Sequence, residues 1–317
     1  MQGFERHKEG CGTAIRSVME GYDVKVNSSK AWLLAARPKT LAASGTPVII
    51  GLASAYSDLG ARLFCVLPAV LCLLYAVIMQ IAANFTNDYF DFVRGNDANG
   101  RLGPERACAM GWVTPSAMRR AIVIALAAAC LVGMPLVLYG GIEMVMIGVL
   151  CIVFCILYTT RLSYIGMGDI LVVVFFGVVP VTIVYYLQAH AVTFRVVMLS
   201  VACGLAIDTL LMVNNYRDID SDRLAGKNTL MVRAGLRTGG FLYLAAGIAA
   251  SLISSAVSAC HGDTLAAALP LAYLPLHIYA YRSMVKIGKG RELNAVLGIT
   301  SRNILVFGLL SAAGLLF

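Results

Sequence analysis

The sequence predicts an all-α, polytopic membrane protein of about nine transmembrane helices, on three observations. Hydrophobic residues make up 59% of the 317 and charged residues only 13%, too little polar surface to clothe a soluble particle. Apolar runs able to span a bilayer recur at about 41–57, 63–87, 121–139, 144–160, 168–187, 196–216, 238–258, 264–281 and 303–317. With the N-terminus inside, these nine spans leave every Lys and Arg except Arg62 and Arg195 on the cytoplasmic face, a strong positive-inside bias.

Residues 1–30 hold no apolar core long enough for a cleavable signal and read as a cytoplasmic polar extension. Residues 31–317 read as one membrane domain, since no Pro/Ser-rich linker interrupts the chain after residue 40. The second span closes in Asn84-Phe-Thr-Asn87-Asp88-Tyr-Phe-Asp91, and a long Gly-containing basic loop follows to Thr114-Pro115. On the fourth span Cys151 and Cys155 share a helical face, while the other cysteines lie scattered as small hydrophobes. Tyr158 and Arg161 fall at its inner edge, and Asp169 suits the N-cap of the fifth span. The sixth carries Asp208 and ends in Asn214-Asn215-Tyr216-Arg217-Asp218-Ile-Asp220-Ser-Asp222; a second basic loop runs through Lys227 to Thr229. The net charge of +8 is spread over several short loops, which fits membrane topology and a lipid bilayer partner, not nucleic acid.

The two acidic stretches carry the chemistry. In helical geometry Asn84, Asp88 and Asp91 line one face, and Asn214, Asp218 and Asp222 line another. Ionised groups at membrane depth are costly unless they face a polar cavity or a counter-ion, so paired clusters mark a functional site. Two such faces imply a multivalent cation, and their recurrence at the inner ends of spans two and six places the site centrally, between two halves. Mg²⁺ takes one or two carboxylates and completes its shell with water and phosphate oxygens, which makes a diphosphate the natural bridge. Arg106, Arg161, Arg217 and Lys227, with Arg37 or Lys39, are the cations to neutralise it. A lipid-embedded site also favours a long hydrocarbon tail, so a polyprenyl diphosphate suits both requirements. Tyr158, Tyr216, Phe175 and Phe176 are the aromatic candidates to face an allylic carbocation. Asp208 lies about ten residues, roughly 15 Å, up its span from Asp218, and reads as a hydrogen-bonded acid inside the bundle.

These stretches resemble the UbiA superfamily of membrane prenyltransferases and, within it, the 1,4-dihydroxy-2-naphthoate polyprenyltransferase branch. The resemblance rests on Trp32 to Leu41, Gln80 to Asp91 with Asp97 and Gly103-Pro104-Glu105-Arg106, Tyr158 to Asp169, and Asn214 to Asp222 with Gly226-Lys227-Asn228-Thr229. It implies helices around a central cavity that opens sideways to lipid. It implies that Asn84, Asp88, Asp91, Asp218 and Asp222 organise Mg²⁺, or Mn²⁺, with diphosphate. Arg37, Arg161 and Lys227 would contact phosphate oxygens, and Tyr158 would shield the cation. The partners it implies are polyprenyl diphosphate and 1,4-dihydroxy-2-naphthoate, joined with loss of CO₂ to give demethylmenaquinone in the cell inner membrane. Other acceptors of the superfamily, 4-hydroxybenzoate, homogentisate or haem, stay open on the residues alone. A cation-coupled transporter is disfavoured, because transport sites lie near the bilayer midplane and both clusters end their spans at the cytoplasmic edge. The compact signature of the CDP-alcohol phosphotransferases is absent from the sequence.

The topology has a direct test: a reporter active only outside the cytoplasm, fused after Arg94, is expected to be silent, and activity there would invert the orientation.

Overall fold

The computed structural model describes residues 24–95, 101–158, 162, 164–260 and 264–317. The described residues form helices and no strand, as an apolar chain without alternating patterning requires. A short helix α1 (Ser29–Ala36) is capped by Ser28, whose hydroxyl accepts from the Ala31 amide at 3.3 Å. It stops at Arg37, which adopts a left-handed φ of 52° immediately before Pro38 opens α2 (Pro38–Leu63). Then follow α3 (Val66–Val93), α4 (Pro115–Gly140), α5 (Glu143–Leu157), α6 (Gly168–Ala189), α7 (Phe194–Arg217) and the short α8 (Ile219–Leu224). The last three long helices are α9 (Leu230–Ala259), α10 (Tyr273–Ile287) and α11 (Leu293–Leu316).

Among the described residues, six helices are long and apolar enough to cross a membrane: α3, α4, α6, α7, α9 and α11. The apolar α5 has only 15 residues, the equally short α10 also carries His277, Arg282 and Lys286, and α2 mixes its apolar residues with Ser, Thr, Gly and Pro. Length and composition thus support six of the nine expected crossings, and the other three expected segments are helices that fall short of that measure.

Helix α7 is the axis of the bundle. It packs against α9, α6, α11 and α2, and 67% of its apolar window is buried, against 11% for the peripheral α4. With no hydrophobic drive between helices in lipid, such packing depends on small residues that let backbones close in. Gly177 of α6 and Gly204 of α7 meet this way: a Cβ on Gly177 would stand 2.6 Å from the Ser200 carbonyl, and one on Gly204 2.6 Å from the Val173 carbonyl. Helix α6 is capped by Met167 without a side-chain bond, so Asp169 lies in its first turn and not at the expected N-cap, and the helix widens into a π-helical segment at Val173–Val178 that includes this contact. Where α2 crosses α11, Gly308 lies under Thr46. Buried hydroxyls add polar ties, such as Ser254 donating to Ser311 at 2.8 Å.

Beyond the end of α3, Val24 is buried with Ala31, Trp112 and Val113, and the Asn27 amide donates to the Trp112 carbonyl at 2.8 Å. The end of the polar extension and the first long loop therefore share a small core.

Because both neighbours of the Gly177 Cβ position are backbone, Gly177→Val is expected to cost about 1–3 kcal/mol, the usual range for overpacking. Thermal unfolding in detergent should show the loss, and an unchanged Tm would mean that α6 and α7 are not packed this closely.

Candidate active site

A cavity of about 450 Å³ runs between α2, α3, α4, α5, α6 and α7. Its inner end is polar, with Arg37, Gln80, Asn84, Asn87, Tyr158 and Asn214, and its far end is apolar, around Leu136, Met144 and Val184. Asn84 from the first acidic stretch and Asn214 from the second thus face one chamber, but Asp88, Asp91, Asp218 and Asp222 are not among its described lining residues, and the helix breaks at Asp218, so the second expected face is not one continuous helical face.

The elements explain how each side chain arrives there. Asn84, in the last turns of α3, donates through Nδ2 to the Ala36 carbonyl at 2.8 Å and to Thr40 Oγ1 at 3.0 Å. These bonds pin the junction where Arg37 takes its left-handed conformation. The Arg37 guanidinium is buried at the cavity wall, and its Nη2 has no hydrogen-bond partner. Burial, then repulsion from Arg106, lowers its pKa to about 10, with Asp88 opposing; it stays charged at neutral pH. A buried cation with an unpaired donor is built to receive an anion.

The carboxylates are engaged with protein partners. Asp88 is fully buried and accepts from the amides of Ala107 and Cys108 at 2.8 and 2.9 Å, so it holds the first long loop against α3. Asp91 pairs with Arg106. Asp218 takes two bonds from Arg217, at 2.8 and 2.6 Å. Asp222 stands 3.4 Å from Lys227, and burial pushes its carboxyl above the ordinary range while Lys227 opposes the rise. Arg217 also donates to Asn214 at 3.1 Å and to Asn294 at 2.7 Å, and Asn294 donates in turn to the Leu102 carbonyl at 2.8 Å. Gly103 lets the loop pass over this guanidinium: a Cβ there would sit 2.8 Å from Arg217 Nη2. Tyr158 ends α5 at the cavity and feels the charges of Asp169, Asp208 and Asp222.

Lys39 lies in the first turn of α2, and its side chain is outside the described residues, as is Arg161 altogether. Asp208 is buried on α7 as expected and is not among the described lining residues, but its Oδ1 has no hydrogen-bond partner among the described residues, so the expected hydrogen bonding of this acid is not found at that oxygen. Three contributors had no role in the sequence reading. Asn294 is 77 residues from Arg217 and leaves no local signal. Tyr164, between the two halves of the sequence, has both Arg94 and Lys227 5.4 Å over its ring. Gln80 opens the first stretch that carries the family resemblance, but it was given no role of its own there; it sits one helical turn before Asn84.

Among the described residues no three His, Cys, Asp or Glu side chains stand close enough to hold a metal alone. The donors are nevertheless amide and carboxylate oxygens beside an unpartnered cation. That set suits a hard divalent ion that brings part of its shell with an anionic ligand.

The UbiA prenyltransferase family pattern matches residues 44–313. Over 220 residues the chain is 40% identical to a 1,4-dihydroxy-2-naphthoate octaprenyltransferase of Escherichia coli, covering 67% of this chain and 70% of that one. Over 294 residues it is 34% identical to the enzyme of the same name from Mycobacterium tuberculosis, covering 90% and 97%. The fold matches an apo UbiA homologue of Aeropyrum pernix with a TM-score of 0.63 at 18% identity, over 84% of this chain and 96% of that one. It also matches a UbiA homologue of Archaeoglobus fulgidus bound to GPP and Mg²⁺, with a TM-score of 0.61 at 14% identity, over 89% and 99%.

Since Asp88 holds the loop by two amide bonds, Asp88→Asn can keep only one acceptor and should free the segment around Ala107. Limited proteolysis is expected to cut residues 101–114 faster in Asp88→Asn than in Asp218→Asn, and equal rates would contradict the tie.

Proposed function

The chain belongs to the UbiA prenyltransferase family, and on that premise we propose that it transfers a polyprenyl group from polyprenyl diphosphate to 1,4-dihydroxy-2-naphthoate. In that reaction CO₂ leaves the alkylated ring carbon and the product is demethylmenaquinol, the reduced form of demethylmenaquinone. One observation supports the reading: Asn84 and Asn87 of the first acidic stretch, Asn214 of the second and Arg37, whose buried Nη2 has no hydrogen-bond partner, border the polar end of a single chamber whose far end is apolar.

In this reading the walls around Leu136, Met144 and Val184 hold the tail, replacing its lipid contacts by van der Waals contacts of similar polarity. Arg37, Lys39, Arg106, Arg161, Arg217 and Lys227 receive the diphosphate, some by leaving the carboxylates they now pair with. Asn84, Asp88, Asp91, Asp218 and Asp222 would hold a divalent cation, Mg²⁺ with Mn²⁺ as substitute, which would supply the Lewis-acid charge that makes diphosphate a good leaving group. Asn214 keeps Arg217 oriented, through the bond at 3.1 Å. Tyr158, Phe175 and Phe176 border the chamber, Phe175 with its ring stacked on Phe154, and in this reading they attract positive charge developing on the allylic carbon, while the loops that follow the two acidic stretches exclude water that would quench it. The protein is multi-pass, and we place it in the cell inner membrane with its acidic ends and loops in the cytoplasm.

Purified protein given polyprenyl diphosphate and 1,4-dihydroxy-2-naphthoate should yield demethylmenaquinol and CO₂ by mass spectrometry. EDTA should stop the reaction and Mg²⁺ restore it. Asp218→Asn should lower turnover by about a hundredfold or more. Conversion of 4-hydroxybenzoate in place of the naphthoate would change the acceptor, and full activity in EDTA would remove the metal.

A further inference from the structure

We propose that Gln80 is a specificity-determining residue that recognises the acceptor ring, its side-chain oxygen accepting a hydrogen bond from the 4-hydroxyl of the naphthoate. The inference rests on the function proposed above and deepens it.

Gln80 lines the cavity one helical turn, about 6 Å, from Asn84 in the direction of the apolar walls. It therefore stands where a diphosphate end gives way to a hydrocarbon end, the level at which the first prenyl carbon must meet the ring. The orientation of its amide follows from the hydrogen bonds around it. Thr40 gives its own proton to the Arg37 carbonyl at 2.9 Å, and the Ala36 carbonyl can only accept, so the Asn84 atom facing both is its nitrogen. Asn84 Oδ1 is thereby turned toward Gln80 and needs a donor, which Gln80 Nε2 supplies at 3.4 Å. Gln80 Oε1 must then point the other way. It is buried and has no partner among the described residues.

A buried acceptor without a donor is costly to leave so, and the candidate ligands differ in what they offer it. A deprotonated diphosphate and a hydrocarbon tail bring acceptors and C–H bonds but no strong donor. The acceptor brings two hydroxyls. Its 1-hydroxyl is adjacent to the carboxylate and bonds to it internally, which leaves the 4-hydroxyl as the donor free to meet Gln80.

The test uses the full-length protein and two ligands, 1,4-dihydroxy-2-naphthoate as substrate and 1-hydroxy-2-naphthoate, which lacks the 4-hydroxyl, as a competitive ligand. Gln80→Met removes the oxygen at nearly constant volume. It should raise KM for the dihydroxy substrate about tenfold or more while the inhibition constant of the monohydroxy compound and KM for prenyl diphosphate stay within about twofold. A loss shared by both naphthoates, or an equal rise in KM for prenyl diphosphate, overturns the inference, because a merely structural glutamine would weaken all three. Should the variant not fold, the wild type decides: the monohydroxy compound is expected to bind at least about tenfold more weakly than the dihydroxy one, and equal binding overturns the inference. A wild type that does not convert the dihydroxynaphthoate is a separate result, which removes the proposed function and this inference together.

Discussion

The arrangement at the polar end of the chamber depends on one buried guanidinium. Arg217 ends the central helix α7 and donates to Asp218, Asn214 and Asn294. Asn294 opens α11 and holds the first long loop through the Leu102 carbonyl. A charge with so little exposure would be costly alone, and the cost is offset only because its donors meet oxygens at hydrogen-bond distance. Those partners lie on α7, on α11 and, through Asn294, on the loop that follows α3. The same bonds that make Arg217 tolerable in the bundle thereby fix how the two acidic stretches stand to each other.

Much of this was legible in the sequence because helical spacing is rigid. Asn84 and Asn214 could be placed on chamber-facing sides of their helices from the four-residue rhythm of the stretches they open, and both line the cavity. The mostly helical, membrane-spanning character followed from composition. What spacing does not reveal is the partner of each acid. Asp88 is met by amides 19 and 20 residues later, in a loop without periodicity, and Asn294 reaches Arg217 across 77 residues. The left-handed turn at Arg37 depends on a side chain from another helix, so nothing in Arg37-Pro38 alone announces it. The number of crossings was less legible, since α5 and α10 each have only 15 residues.

Two kinds of contact divide the labour in the bundle. Away from the chamber, glycines and serines let α6, α7, α9 and α11 approach until backbone meets backbone or hydroxyl meets hydroxyl. Around the chamber the packing stays open, leaving about 450 Å³ between helices that are in contact elsewhere. The tight half keeps the open half from collapsing, because helices locked along one side cannot slide together on the other.

Tyr164 has a further consequence. Its ring lies 5.4 Å from the charged ends of both Arg94 and Lys227, one at the close of α3 and the other beyond α8. An aromatic surface attracts positive groups by roughly 0.5–1 kcal/mol at an exposed site, and it does so without cancelling their charge. Two side chains from distant parts of the chain thus share one aromatic face, Lys227 while also pairing with Asp222, so the ring ties the segment that follows α3 to the one that follows α8 without adding any opposite charge between them.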